Sequence, residues 1–474
     1  MKRNYKMRKS LNNLITISGS KATRPTPVFT RCTKNVPYPL LLLAAFLILS
    51  TSISAQTALN LQECLRIGLE NNYDLQIIRN EELISNNNVT LGNAGFLPEV
   101  SLNSGYSLRG NNSDQFPAEG DETIESRSAN TGTLDAGVNL NWTLFEGFRV
   151  QTNYQRLQEL QTIGELNTRL SVESLIANLT AEYYNYVQQQ IRLGNLQYAV
   201  SLSKERLRIV EARYQVGSLS RLDLQQARVY FNADSSLLIQ QYEILNSSRI
   251  RLNELMGVDV DQLFIAEDTT IRFDTSLSKG ELYDRAMEHN TMLLLTEKNR
   301  TLSELDLKTL QSRNYPYLRL NGGYGFTHYN YNSGSLDRQR TWGPTAGLTL
   351  GFTLFDGFNR KREQRNARIT IQNRELEIDR YKLALESDFA NMWMAYQNNI
   401  ELTNLELESL ENAELNYEIA MERYKIGDLS GLELREAQNS LLEAEQRLLT
   451  AQYNTKLYEI SLAQISGLVD RYLK

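Results

Sequence analysis

Thr143-Leu144-Phe145-Glu146-Gly147-Phe148 and Thr353-Leu354-Phe355-Asp356-Gly357-Phe358 are one phrase written twice, 210 residues apart. Before each phrase the sequence alternates with period two. Ala136, Val138, Leu140, Trp142 and Leu144 alternate with Gly137, Asn139, Asn141 and Thr143; Leu348, Leu350, Phe352 and Leu354 alternate with Thr349, Gly351 and Thr353. One apolar face and one small polar face predict strands. After the second phrase, Phe358 to Ile426 holds neither glycine nor proline. A continuous helix over these residues would reach roughly 100 Å at about 1.5 Å per residue, too long to fold into a globule. The phrase therefore marks a switch from sheet to very long helix.

The 210-residue offset also relates Arg213-Tyr214-x-x-Gly217-x-Leu219-Ser220-x-Leu222-x-Leu224 to Arg423-Tyr424-x-x-Gly427-x-Leu429-Ser430-x-Leu432-x-Leu434, and Gly257 to Gly467. Farther upstream the offset is 218, matching Asn72 to Asn290, Pro98 to Pro316 and Tyr106 to Tyr324. The extra residues lie between Tyr106 and Leu144, as expected of an exposed turn beside rigid elements. Val100, Leu102, Tyr106 and Leu108 in one repeat, and Leu318, Leu320, Tyr324 and Phe326 in the other, supply the partner strands. The acidic stretch Gly110 to Thr133 reads as an aqueous loop between strands.

The expected organisation is a first repeat over 56–257, a link over 258–279, a second repeat over 280–467 and a short tail over 468–474. Hairpins fall at about 98–146 and 316–356. Long helices fall at about 148–216 and 220–256, and again at about 358–426 and 430–466. Leu441, Ala444, Leu448, Ala451, Tyr458 and Leu462 keep a 3/4 rhythm with Thr455 as its weak step, which is a coiled-coil seam. The preceding helix, folded back at Gly427, is its expected partner.

The first 55 residues carry nine of the chain's 50 basic side chains and no acid, then an apolar stretch from Leu40 to Leu49. They read as a signal peptide cleaved near Ser54 to Gln56. What remains has 41 basic against 56 acidic side chains, a balance that speaks against nucleic acid as a partner. Cys64 stands alone there, which leaves no intrachain disulfide and no cysteine zinc cluster. His289 and His328 are too few for most acid–base or metal constellations, no phosphate loop is present, and no enzyme activity or cofactor is expected. Met392-Trp393-Met394 reads as packing on a helix seam rather than a soft-metal path.

No later segment approaches the roughly 20 apolar residues of a spanning helix. A membrane then leaves only the closed barrel, because backbone groups in hydrocarbon must pair internally. Four strands cannot close one, since barrels start at about eight. A chain of this pattern must oligomerise to stand in lipid. Trp142, Phe145 and Phe148, with Trp342, Phe352, Phe355 and Phe358, suit interfacial girdles; core aromatics where strand meets helix are the other reading.

Taken in order, Leu97-Pro98 and Tyr315-Pro316 before the strands, Leu144-Phe145-Glu146-Gly147 and Leu354-Phe355-Asp356-Gly357 after them, Arg213-Tyr214-x-x-Gly217 and Arg423-Tyr424-x-x-Gly427, and the helix ends Leu252-x-x-Leu255-x-Gly257 and Leu462-x-x-Ile465-x-Gly467 resemble the TolC family of outer-membrane efflux proteins. The resemblance covers essentially the whole chain after the signal. It implies a mixed α/β membrane protein: a homotrimer with four transmembrane β-strands per chain in a twelve-stranded β-barrel, a periplasmic α-helical barrel of coiled-coil hairpins, and an equatorial band that takes in 258–279. It also implies a passive exit duct of a tripartite efflux pump or type I secretion system, for small molecules or proteins. Its partners would be outer-membrane lipid, a periplasmic adaptor and an inner-membrane pump of RND or ABC type. The C-terminal addition of some relatives is nearly absent here.

Gly217 and Gly427 end helices, and Ser220-x-x-Asp223 and Ser430-x-x-Glu433 match capping boxes that start the next ones. Asp223 and Glu433 are thereby explained as caps, whereas Glu436, one turn on, is not. The resemblance aligns Glu433 and Glu436 with acids around the tunnel mouth, where three copies of each, with Asp223, would favour cations. Some relatives carry a basic gating residue where Leu429 stands, so a charge-locked gate is not implied. The same tips, Gly217, Ser218, Leu219 and Ser220 with Gly427, Asp428, Leu429 and Ser430, are the expected adaptor docking points. An exported coiled-coil spacer without a pore is the rival reading; it accounts for the helices but not for four amphipathic strands with aromatic ends.

Overall fold

The computed structural model describes residues 57–473 apart from 117, 119–123 and 333–335; the expected signal peptide lies outside the described residues. A short strand β1 (Thr57–Leu59) leads into α1 (Leu61–Asn71), α2 (Tyr73–Asn88) and the single turn α3 (Leu91–Ala94). The first hairpin is β2 (Glu99–Gln115) and β3 (Ile124–Glu146), followed by α4 (Arg149–Gln215) and α5 (Arg221–Met256). After β4 (Phe264–Ala266), α6 (Lys279–His289) and α7 (Thr291–Ser312) come the second hairpin, β5 (Tyr317–Tyr331) and β6 (Arg338–Gly351), then α8 (Asn359–Ile426) and α9 (Gly431–Ile465). A 3-10 turn, Val469–Leu473, ends the described chain.

The four long strands form one antiparallel sheet in the order β2-β3-β5-β6. Its register aligns chemistry across strands. Leu102, Val138, Tyr324 and Pro344 share one row, and Ser104, Ala136, Phe326 and Trp342 the next row of the same face. On the other face Glu99, Asn141, Asn321 and Gly347 form one row, and Asn103, Gly137, Gly325 and Gly343 another. Three glycines in one row leave that face without side-chain bulk, which lets a twisted sheet curl toward it. A Cβ on Gly137 would sit 3.2 Å from the Tyr324 carbonyl oxygen, and one on Gly323 2.7 Å from that of Val138.

Two boundaries differ from the sequence expectation. Much of the segment read as an aqueous loop, Gly110 to Thr133, is ladder: Gly110 pairs with Asn130 and Asn111 with Ala129. Serine, threonine and asparagine on both faces give no apolar alternation, so period two was silent where pairing continues beyond the apolar band. β6 stops at Gly351 rather than running on to Leu354. β6 is an edge of the sheet and pairs only with β5, whereas β3 is held on both sides and continues to Glu146 through a bulge at Thr143/Phe145.

In each phrase glycine and phenylalanine both adopt left-handed backbone, Gly147 at φ 59° with Phe148 at 67°, and Gly357 at 68° with Phe358 at 62°. Two consecutive left-handed residues turn the strand sharply into the helix. The acid of the phrase then serves the first helical turn: Glu146 pairs with Arg149 at 2.5 Å, and Asp356 accepts from the backbone N–H of Arg360 at 2.9 Å and from its Nε at 3.1 Å.

α4 spans 67 residues and α8 spans 68. Along α9 the residues Leu441, Ala444, Leu448, Ala451, Thr455 and Leu462 are all buried. Thr455, the weak step of that seam, meets Thr403 of α8 hydroxyl to hydroxyl at 3.3 Å and donates to the Ala451 carbonyl at 2.8 Å. Midway along the rods a core forms where β1 pairs parallel with β4. The Tyr186 hydroxyl donates to the Phe264 carbonyl at 2.9 Å, and Val469 and Tyr472 of the tail pack into the same core. Buried Lys456 and Glu459 pair at 3.1 Å beneath that tail, with Arg471 bridging to Asp274 at 2.9 Å. Trp393 is buried with Phe389 and Tyr396, while Met394 beside it is exposed.

Candidate functional site

At the ends of the rods the two helical hairpins lie together. Val210 of α4, Leu224 and Ala227 of α5, Tyr417 and Tyr424 of α8, and Leu434 of α9 share one buried cluster. Arg213, in the last turn of α4, donates to the carbonyls of Tyr424 and Lys425 at 3.1 and 2.8 Å, adding to the Gly427 N–H that already reaches the Tyr424 oxygen at 3.1 Å. Its guanidinium also lies 5.3 Å from the Tyr424 ring. Hydrophobic burial and one arginine thus hold tip to tip.

Gly217 (φ 79°) and Gly427 (φ 88°) take the left-handed backbone that closes each long helix. Ser220 and Ser430 then open α5 and α9 with complete capping boxes. The Asp223 carboxylate accepts from the Ser220 N–H at 3.0 Å and its hydroxyl at 2.7 Å; Glu433 accepts from the Ser430 N–H at 2.9 Å and hydroxyl at 2.7 Å. These hydroxyl and amide donors hold both carboxyls below their ordinary pKa, so both are anionic at neutral pH. Glu436 is exposed one turn beyond Glu433. Ser218 and Leu219 lie between Gly217 and Ser220 in the first tip; Asp428, which pairs with Arg423 at 2.9 Å, and Leu429 lie between Gly427 and Ser430 in the second. Val216, Leu222, Ile426 and Leu432 are large apolar side chains exposed around the two turns.

Behind the tips lies a charged cluster that sequence reasoning missed. Asp234 of α5 is 1% exposed and takes a bidentate grip from Arg435 of α9 at 2.7 and 2.8 Å. The Ser203 hydroxyl of α4 also donates to Asp234, and Gln438 of α9 donates to the Ser203 oxygen at 3.1 Å. The Tyr230 ring lies 5.0 Å from the Arg435 guanidinium and 4.9 Å from that of Arg206. The signal was present: Ala227, Asp234, Gln241 and Ser248 are spaced by seven, as are Ala199, Arg206 and, one step off, Ser203 and Val210, and all are buried. A charge in seam register marks a buried pair between hairpins.

The aromatics expected at strand ends divide into two groups. Phe145 and Phe148 meet edge to face at 5.4 Å, as do Phe355 and Phe358 at 5.3 Å, and Trp142 donates to the Phe96 carbonyl at 2.8 Å. All lie where strands meet helices. Trp342 does not: it pairs with Phe326, eight residues along β6 from Leu350, about 27 Å away at about 3.4 Å per residue. His328 and Arg340 form the next row of that face. Among the described residues no helix is long and apolar enough to cross a membrane.

The description of one protein family, outer membrane efflux protein, matches residues 65–258 and 282–468, the two repeats in turn. The outer membrane protein TolC of Vibrio cholerae is 22% identical over 437 residues, covering 90% of this chain and 94% of the relative. The outer membrane efflux protein BepC of Brucella suis is 20% identical over 431 residues, covering 90% of each. Among solved structures, the outer-membrane channel OprN superposes with a TM-score of 0.67 at 20% identity, covering 86% of this chain and 89% of that one. The Campylobacter jejuni CmeC channel does so with 0.70 at 17% identity, covering 94% of each. The helical rods, the sheet and the double match place the chain in the outer membrane efflux protein family, as an outer-membrane protein with a large periplasmic part.

Proposed function

We propose that three copies of this chain close one twelve-stranded barrel in the outer membrane, and that their long helices line a tunnel through the periplasm. The supporting observation is the four-stranded sheet itself. β2 and β6 each have one unpaired border, one face is apolar and the other polar and glycine-lined. A sheet with open borders is not stable in lipid. Threefold association joins each β2 to the next β6 and leaves none open. The apolar band from Leu350 to Trp342 suits the roughly 25 Å height of such barrels, with the Phe145, Phe148, Phe355 and Phe358 pairs and Trp142 at one interface and Trp342 at the other.

No energy source lies in the chain, so the duct is passive. It serves as the exit of a tripartite efflux pump or a type I secretion system, joined through a periplasmic adaptor to an RND or ABC pump. The adaptor docks on the tips, Gly217 to Ser220 and Gly427 to Ser430, where exposed Val216, Leu222, Ile426 and Leu432 surround the turns. Asp223, Glu433 and Glu436 make the entrance cation-selective, since the first two are held anionic by their caps. The test is reconstitution of the purified protein in planar bilayers. Stepwise conductance with cation selectivity is expected, and the Glu433→Gln/Glu436→Gln variant shifts the reversal potential toward zero. Absence of conductance would favour the poreless spacer, and an unchanged reversal potential would sink the acidic entrance.

A further inference from the structure

The two repeats give an internal control for an exposed helix face. Asn72 and Asn290 open α2 and α7 in the same way: each side-chain oxygen accepts from the backbone N–H three residues on, of Leu75 or Leu293, at 3.0 Å. Each side-chain amide donates at 3.0 Å to the matching carbonyl, Leu255 at the end of α5 or Ile465 at the end of α9. The short helices α2 and α7 are therefore equivalent at the 218-residue offset, as the rods α4 and α8 are at 210.

Their surroundings are not equivalent. α7 lies between α8 of its own repeat and α4 of the other, whereas α2 packs chiefly on α4. The seam that α7 makes with α4 uses one face of each helix. Thr291 donates to Glu173 at 2.8 Å, Lys298 pairs with Glu159 at 3.1 Å and Asp306 with Arg156 at 2.9 Å, in antiparallel order. Glu159, Leu166 and Glu173 run along α4 at intervals of seven, and Leu295, on the α7 face between Thr291 and Lys298, is 5% exposed. Carried to the other repeat, these faces become Ile369, Leu376 and Leu383 on α8, and Tyr73, Ile77 and Ile84 on α2. All six are exposed, and Ile77, the counterpart of Leu295, is 57% exposed.

We infer that the two stripes form one seam between chains, α8 of one copy lying antiparallel along α2 of the next, with Leu383 against Tyr73 and Ile369 beside Asn80. The inference rests on the proposed trimer and names the helical contact that closes it. Each α8 then has a short helix on both sides, as α4 has already within the chain. The change of chemistry fits the change of role. All three polar contacts of the internal seam lose their charge together: Glu173 becomes Leu383, Glu159 with Lys298 becomes Ile369 with Asn80, and Arg156 with Asp306 becomes Asn366 with Asn88. A seam within a chain needs only to hold position, whereas association of separate chains must offset lost translational and rotational freedom, for which buried apolar surface is the driving force.

The test uses the protein in mild detergent, carrying Tyr73→Cys and Leu383→Cys; native Cys64 is buried. Both positions are exposed in the protomer, so its folding is not at stake. Oxidation is expected to give covalent trimer on denaturing electrophoresis, while Tyr73→Cys with Met394→Cys, about three turns farther along α8, stays unlinked. Ile369→Glu, which places a lone carboxylate in the seam, is expected to raise the concentration at which the trimer dissociates at least tenfold. Adding Asn80→Lys copies the Glu159–Lys298 pair and is expected to reverse most of that loss. A wild type that is trimeric although Tyr73 and Leu383 do not link, or whose Ile369→Glu variant is unaffected or not rescued by Asn80→Lys, would overturn the seam and leave the trimer standing. A monomeric wild type would overturn both.

Discussion

The two strand-to-helix junctions share a phrase but not an environment. A Cβ on Gly147 would lie 2.1 Å from the Ser312 carbonyl oxygen, because the end of α7 packs against the first junction, and Tyr315 lies 6.2 Å from the Phe148 ring. At Gly357 the nearest atom is the Asn359 side chain at 3.6 Å. Leu144 is 42% exposed, its counterpart Leu354 86%, and Phe355 70%. The same residues were thus kept at a place where the protomer supplies no neighbours. β3 lies inside the sheet and β6 at its border, so in the proposed trimer the contacts that bury the first junction would come to the second from another chain. On the proposed trimer, the exposed second junction marks where a neighbouring protomer would attach.

The largest expected effect falls where the two repeats differ most. At the 210-residue offset Asp234 corresponds to Ala444 and Arg435 to Gln225, so the pair joining the hairpins has no second copy in the chain. Asp234→Ala leaves the partly buried Arg435 without its carboxylate partner, and about 3 kcal/mol of stability is expected to be lost, read as earlier unfolding of the helices by circular dichroism. Replacing both partners together by apolar residues is expected to restore much of it.

The junctions come next. Gly147→Ala combines left-handed backbone with a clash against Ser312 and is expected to cost about 3 kcal/mol or more, whereas Gly357→Ala meets only the backbone cost of about 1 kcal/mol. Oligomer yield and melting temperature of the two variants test this; equal effects would mean that the junctions are alike in the assembly. The helix caps, in contrast, are the same in both repeats. Ser220→Ala and Ser430→Ala are each expected to cost about 1 kcal/mol, and a large difference between them would show that one tip is buried against a partner.

A further effect is a pH dependence toward neutrality that arises in the second repeat. Burial, reinforced by Glu414, pushes Glu445 up to about 7, and its Oε2 lacks a partner; the 210-residue offset places Ser235 opposite it. A carboxyl whose folded pKa lies above its unfolded value binds its proton more readily in the fold. Stability is therefore expected to fall as pH rises from the unfolded value near 4.5 through about 7, and Glu445→Gln is expected to flatten that slope. The caps at Asp223 and Glu433, with lowered pKa, act in the opposite sense and lose their contribution only in acid. A melting temperature of Glu445→Gln that follows pH as the wild type does would contradict the assignment.

These contrasts also show what sequence could reveal. Period two in β3 and β5 was legible because one face meets apolar surroundings, and the long helices were legible because no glycine or proline interrupts them. The polar outer ladder from Gly110 was not, since serine, threonine and asparagine on both faces leave no alternation to read. The caps at Ser220 and Ser430 follow from short-range spacing and could be read directly. Arg206, Asp234 and Arg435 come from three helices, and only a seam traced along α4 and α5 as well as α9 would have exposed them.

The central claim is that the open borders of β2 and β6 are joined between chains. Native mass spectrometry of the full-length protein extracted in mild detergent tests it most directly. A single trimeric species that survives dilution is predicted, and a stable monomer or a dimer as the only species would contradict the account.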